Sequence, residues 1–267
     1  MADNPFLSAD RPPARSYHGI RNGRLVKLAP VEGPADPAAV MVHEGLRAVV
    51  LSETYPCLFS RSAVRRDSYR FGCYPALGSD EAAAAVAADL WQFVQDFPLS
   101  PDRFTTFIAA FDGPALGSEH DFEAALWAQL QGMHDLDRRH HRWDPAARSE
   151  PDRWGFSFSF AQRAFFIVGL HPAASRWARR TAWPTLVFNA REQFNMMRAA
   201  GVMDRTTEVI RRRDRLLQGT TNPSLAYFDA HRTEAVMYSG RLVEEDWRCP
   251  LRVRPGPGEA TPRKEMS

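Results

Sequence analysis

Lysine is almost missing from this chain: it occurs only at Lys27 and Lys264, so arginine carries the basic charge. The charges balance, with 34 basic against 32 acidic side chains and a formal charge of +2. That leaves no electrostatic case for a general nucleic-acid binder. Cysteine is scarce too, and Cys57, Cys73 and Cys249 are too scattered for a disulfide framework or a paired-cysteine zinc site. No apolar run reaches the length of a membrane helix, and the opening MADNPFLSADRPPARS lacks the apolar core of a signal peptide. A cytoplasmic protein with no membrane partner is therefore expected. The glycine-rich nucleotide loops, the HExxH helix and the GxSxG elbow are also lacking. Their absence argues against dinucleotide-binding, kinase-like, zinc-protease and α/β-hydrolase chemistry.

What is present suits a globular chain with a sizeable core: 267 residues, 44% hydrophobic and 25% charged. Residues 1–34, rich in Pro, Gly and Arg, read as a loosely structured arm. Residues 35–254 read as a single domain, and 255–267 (PGPGEATPRKEMS) as a disordered tail. Apolar spacing predicts helices over 36–52, 60–66, 80–97, 119–138, 191–200 and 204–218, the last ended by Gly219 as a C-cap. Strands are predicted at 68–74, 104–111, 156–161, 165–170, 184–189 and 234–238. Phe156, Phe158 and Phe160 alternate with Ser157, Ser159 and Ala161, the pattern of a sheet with one buried face. Short links between neighbouring strands favour antiparallel pairing. The fold class is thus α+β, a mostly antiparallel sheet with helices packed largely on one face.

The candidate chemistry gathers in the stretch from Phe156 to Phe194. His171 ends an apolar strand and precedes Pro172, which holds it extended. A neutral imidazole there suits a metal or haem ligand, and equally a hydrogen-bonded strand-end histidine. His134 shares a helix face with Trp127 and Leu130, an arrangement found for haem ligands and for satisfied core histidines. Asp135 and Asp137 beside it suit orienting an imidazole or binding a cation. Cys57, after Pro56, is either a thiolate ligand or inert packing. Arg176, Arg179 and Arg180 form a bend whose forks suit carboxylates, including haem propionates, or simply face solvent.

With those residues in view, the chain resembles the YqcI/YcgG-like family. The resemblance rests on TYPCLFSRSAVRRDSYRFGCY (Thr54–Tyr74), MHDLD (Met133–Asp137), FSFSFAQRAFFIVGLHPAASRWARR (Phe156–Arg180), PTLVFNAREQF (Pro184–Phe194), QGTTNPSL (Gln218–Leu225), YSGR (Tyr238–Arg241) and WRCP (Trp247–Pro250), in that order. Characterised members of that family look like haem-dependent oxygenases that N-hydroxylate a guanidine group, on arginine in the D-cycloserine route and on a cyclic guanidine in the guanitoxin route. The resemblance implies haem b as cofactor and a small guanidino substrate, with O2 or peroxide and, for O2, an external electron donor. It makes His171, then His134, the leading iron-ligand candidates, and Arg176 and Arg180 candidates for a propionate or substrate carboxylate. Asp135, Asp137 and Glu192 are the carboxylates nearest the matching motifs for a guanidinium. The family usually reads Pro-His where this chain has Ala190-Arg191, a departure that bears on the substrate. A haem protein without oxygenase activity, such as a sensor, carrier or peroxidase-like enzyme, and a cofactor-free binding protein are the alternatives, and a homodimer remains open.

Overall fold

Eight strands form one sheet in a computed structural model that describes residues 3–7, 12–100, 103–223 and 232–258. The strands are β1 (Tyr17–Arg21), β2 (Arg24–Ala29), β3 (Gly33–Pro34), β4 (Tyr69–Tyr74), β5 (Thr106–Phe111), β6 (Phe158–Phe160), β7 (Arg163–Leu170) and β8 (Thr185–Ala190). Their order across the sheet is β3-β2-β1-β4-β5-β8-β7-β6. Every neighbouring pair is antiparallel except β4 and β5. A parallel pair needs a crossover, and the helix α3 (Asp80–Asp96) supplies it. The other helices are α1 (Pro37–Leu51), α2 (Leu58–Arg65), α4 (Glu119–Asp137), α5 (Arg191–Ala199) and α6 (Met203–Gln218). The class is α+β, as expected. No helix among the described residues is long and apolar enough to cross a membrane.

Helices cover both faces of the sheet, not mainly one. Phe107, Ala109 and Phe111 of β5 pack with α3 and α4 in the larger core. Ile108 and Ala110, on the opposite face of the same strand, pack with α1 and α2. Strand β5 is buried at every position, so strict alternation disappears where two helical layers sandwich a central strand. The α3 and α4 N-termini follow their caps: Ser79 and Ser118 hydroxyls accept from Ala82 and Asp121 N–H groups, both at 3.1 Å. Gly219 closes α6 at φ 79°, its N–H donating to the Arg215 carbonyl at 2.8 Å.

Three expected features come out differently. The supposed N-terminal arm holds β1, β2 and β3, and it is anchored by Asp89 of α3. That buried carboxylate accepts from Arg15 Nε at 2.6 Å, Ser16 N–H at 2.8 Å and the Tyr74 hydroxyl at 3.0 Å. Of the expected tail, Pro257 accepts from Arg142 Nε at 2.8 Å, so its first residues are docked, while 259–267 lie outside the described residues. The segment expected as a strand at 234–238 is a 3-10 turn, Glu234–Met237, capped by Thr233.

Candidate functional site

His171 is fully enclosed, and neither ring nitrogen has a hydrogen-bond partner in the described structure. Its backbone is fixed: the N–H donates to the Arg179 carbonyl at 2.9 Å, and its carbonyl accepts from Ala174 N–H at 3.3 Å. The ring lies flat on Phe122 of α4, centroids 4.1 Å apart and planes 16° from parallel. Burial pushes its pKa down to about 4, with Glu119 opposing and Arg179 adding to the fall, so the ring is neutral at ordinary pH. Buried polar atoms are almost always paired. Two orphaned nitrogens on one rigid ring are therefore the most unusual local feature of the fold.

Strand β7 brings the ring to this place. β6 pairs only with its first half, Phe158 opposite Phe165, leaving the backbone at Gly169 open. The segment after the 3-10 turn closes that edge: Gly169 N–H donates to the Tyr238 carbonyl at 2.8 Å. Arg179 adds a clamp, donating to the carbonyls of Gly169 at 2.9 Å and Met237 at 3.2 Å. Gly169 has to be glycine, since a Cβ there would lie 2.5 Å from the Phe122 ring and 2.8 Å from the Tyr238 carbonyl oxygen.

The remaining candidates divide by position. Arg176 is nearby but committed: Nη2 donates to Asp214 at 2.6 Å and to the Thr220 carbonyl at 2.9 Å, while Nη1 reaches the Thr220 hydroxyl at 2.9 Å. Arg180 is exposed, with Nε on the Ala174 carbonyl at 2.6 Å. Cys57 caps α2 half-buried, its sulfur accepting from the Ser60 hydroxyl at 3.2 Å, and with Tyr55 it faces Arg179. His134, Asp135 and Asp137 sit at the far end of α4 from Phe122, roughly 18–22 Å along the axis at a helical rise of about 1.5 Å per residue. His134 Nε2 accepts from Arg254 N–H at 2.9 Å. Asp135 pairs with Arg138 and Arg254, both at 3.4 Å. Asp137 holds His141 at 2.7 Å and the Ala161 N–H at 3.0 Å. Glu192 follows Ala190, which pairs with Phe165 at the opposite end of β7, and it accepts from Asn195 at 3.2 Å. The three expected substrate carboxylates are thus not beside His171. The acid whose charge reaches the ring, Glu119, is engaged with Ser175.

The family model of the YqcI/YcgG family matches residues 46–252. The chain belongs to the YqcI/YcgG family. No curated protein and no solved structure matches it. On this YqcI/YcgG chain the structure assigns packing roles to several resemblance motifs. In YSGR, Arg241 grips Glu123 of α4 through Nε at 2.9 Å and Nη2 at 2.8 Å, and Ser239 donates to the same carboxylate at 3.1 Å. Ser157 and Ser159 of FSFSF are buried rather than solvated. Ser157 donates to Glu234 at 2.7 Å, and Ser159 accepts from Asp144 N–H at 2.9 Å. Ser224 and Leu225 of QGTTNPSL lie outside the described residues.

A second buried polar group in the YqcI/YcgG chain escaped the sequence reading. Glu234 accepts from both Ser157 and the Tyr238 hydroxyl, the latter at 2.6 Å, and faces Arg191 at 3.9 Å. Burial pushes its pKa up to about 7 against the pull of those donors. Arg191, the position of the departure from the family pattern, also donates to the Gly155 carbonyl at 2.9 Å. Two hollows open elsewhere on the surface. One of about 70 Å³ is apolar, between Leu46, Val49 and Trp183. The other, of about 250 Å³, is lined by Leu58, Arg61, Ser62, Arg65 and Arg66 of α2 and its end.

Proposed function

We propose that this protein is a haem-dependent monooxygenase that N-hydroxylates a guanidine group of arginine or a related small guanidino compound, with His171 as the iron ligand. The observation that carries this reading is the enclosed, neutral His171 ring with both nitrogens unpartnered. Among the described residues no group of three or more His, Cys, Asp or Glu side chains is arranged to hold a metal ion. A lone imidazole therefore suits a metal that brings its own remaining donors, as haem iron does. When bound, the haem supplies activation of O2 or peroxide and oxygen transfer to nitrogen, the O2 route drawing two electrons from an external donor.

The chain's own residues then bind, orient and exclude water. Strand β7 and Pro172 hold the imidazole, while Arg179 locks the strand edge beside it. Arg180, an exposed arginine on the same bend, suits a propionate or a substrate carboxylate. Arg176 is occupied by Asp214, so its part is to fix α6 against the bend. Access to the ring requires the Phe122 stack to open. Purified protein given haemin is expected to develop a Soret band that His171→Ala abolishes. A fully ligated spectrum in that variant would remove His171 from the role, and a protein that takes up no haemin would end the haem reading.

The flat Phe122 contact favours a second reading, a cofactor-free binding protein in which His171 is core packing. The haemin titration separates the two. A haem-loaded protein that forms no hydroxylated product across arginine and related guanidines would instead be a haem protein without oxygenase activity.

A further inference from the structure

The hollow on α2 gathers more positive charge than the described residues beside it offset. Arg61 and Arg65 are four residues apart on the helix and so are surface neighbours, and Ser62 and the C-cap Arg66 line the same hollow. Arg213 of α6 adds a further guanidinium nearby, held by the backbone carbonyls of Glu53 and Tyr55, the latter at 3.1 Å. The Arg61 guanidinium is pinned by the Ser52 carbonyl. Carbonyl partners position these forks without neutralising them. Burial, then the facing charges of Arg65 and Arg213, pull the Arg61 pKa down, with Glu53 alone opposing. Asp67, the next acid along, is turned to Arg47 at 3.7 Å. Among the described residues neither Arg65 nor Arg66 forms an ion pair.

We propose that this hollow binds a small multivalent oxyanion, gripped by the guanidinium forks of Arg61, Arg65 and Arg66 with the Ser62 hydroxyl as a further donor. Arginine forks match phosphate and carboxylate oxygens bidentately, and converging like charges are relieved by a ligand of opposite sign. At about 250 Å³ the hollow falls below the ~300–1,000 Å³ of pockets that enclose drug-sized molecules. Its ligand is therefore compact, such as a diphosphate group or a tricarboxylate. The site is separate from His171 and holds whether or not the protein binds haem.

The test is calorimetric titration of the full chain with pyrophosphate and, separately, with citrate, at constant ionic strength set by chloride. Saturable binding of at least one anion is expected, weakened tenfold or more in Arg65→Gln/Arg66→Gln and several-fold in Ser62→Ala. Arg65 and Arg66 are exposed and unpaired, so the double variant is expected to melt where the parent does without ligand. Pyrophosphate binding without citrate binding assigns a phosphate-bearing ligand, and the reverse a carboxylate-bearing one. No saturation by either anion, or equal binding in the double variant, marks an adventitious ion only and overturns the proposal.

Discussion

An imidazole and a carboxyl, buried in different parts of the same core, are expected to tilt the stability of this protein in opposite directions with pH. His171, at about 4 when folded against an ordinary 6.5, loses stability as pH falls from 6.5 towards 4, because the unfolded chain binds the proton that the core refuses. Glu234, at about 7 against 4.5, contributes stability that is full below 4.5 and lost as pH rises to 7, because the folded state keeps its proton longer. Each shift corresponds to something on the order of 3 kcal/mol, so between pH 4.5 and 6.5 the two slopes oppose. Urea unfolding across that window is expected to show Glu234→Gln gaining stability with pH relative to the parent and His171→Phe losing it. Parallel profiles for all three proteins would refute the assignment. His171→Phe also removes two buried unpaired atoms from an aromatic site, so the cofactor-free protein should match or exceed its parent at pH 7, by up to about 1–3 kcal/mol. Neither residue's state was legible in the sequence. His171 was visible as a strand-end candidate, but its orphaned nitrogens depend on Phe122, far away along the chain, and Glu234 sat in an expected strand.

At the level of elements, periodicity located the six α-helices of the described residues and the strands from β4 onward, because those segments carry apolar residues at helical or strand spacing. It failed where a tertiary partner decides conformation. The β6–β7 turn is Ala161-Gln162, both left-handed at φ 49° and 58° without glycine or asparagine. Asp137 holds it by accepting from the Ala161 N–H. Asp137, expected beside the His134 imidazole or a substrate cation, thus spends Oδ1 on this turn and on the His141 ring. Helix α4 is the shared support of both ends: Phe122 and Glu123 at one, His134 and Asp137 at the other. The Glu123–Arg241 pair ties the C-terminal segment to it with side chains 11% and 7% exposed. Removing the cation leaves a buried carboxylate uncompensated, and Arg241→Ala is expected to cost about 3–5 kcal/mol, more than Glu123→Ala, after which Arg241 keeps Glu244 at 2.8 Å. Denaturant midpoints measure this directly. A loss below about 1 kcal/mol, the range of an exposed pair, would show that the pair is hydrated in solution.

Across the whole molecule, the sequence announced an α+β protein but hid its first three strands, since a Pro- and Gly-rich opening hides the β1–β2 hairpin until β4 and Asp89 are seen beside it. That hairpin governs how the sheet ends. β3 has two residues, the second Pro34, which has no N–H to offer, and β6 at the other edge has three. Short, proline-blunted borders do not template further strands. The family match starts at Leu46, inside α1, and stops at Leu251-Arg252, short of the Arg254 N–H that His134 accepts. A chain trimmed to residues 46–252 would uncover the long apolar border of β4 and strand Asp89 without Arg15. Such a fragment is expected to sediment as larger species than the full chain, or to precipitate at concentrations that keep the full chain in solution; equal sedimentation of the two would refute this. The unit shared by descent and the unit that covers its own sheet border therefore have different ends, and the opening hairpin caps the β4 border that residues 46–252 would leave bare.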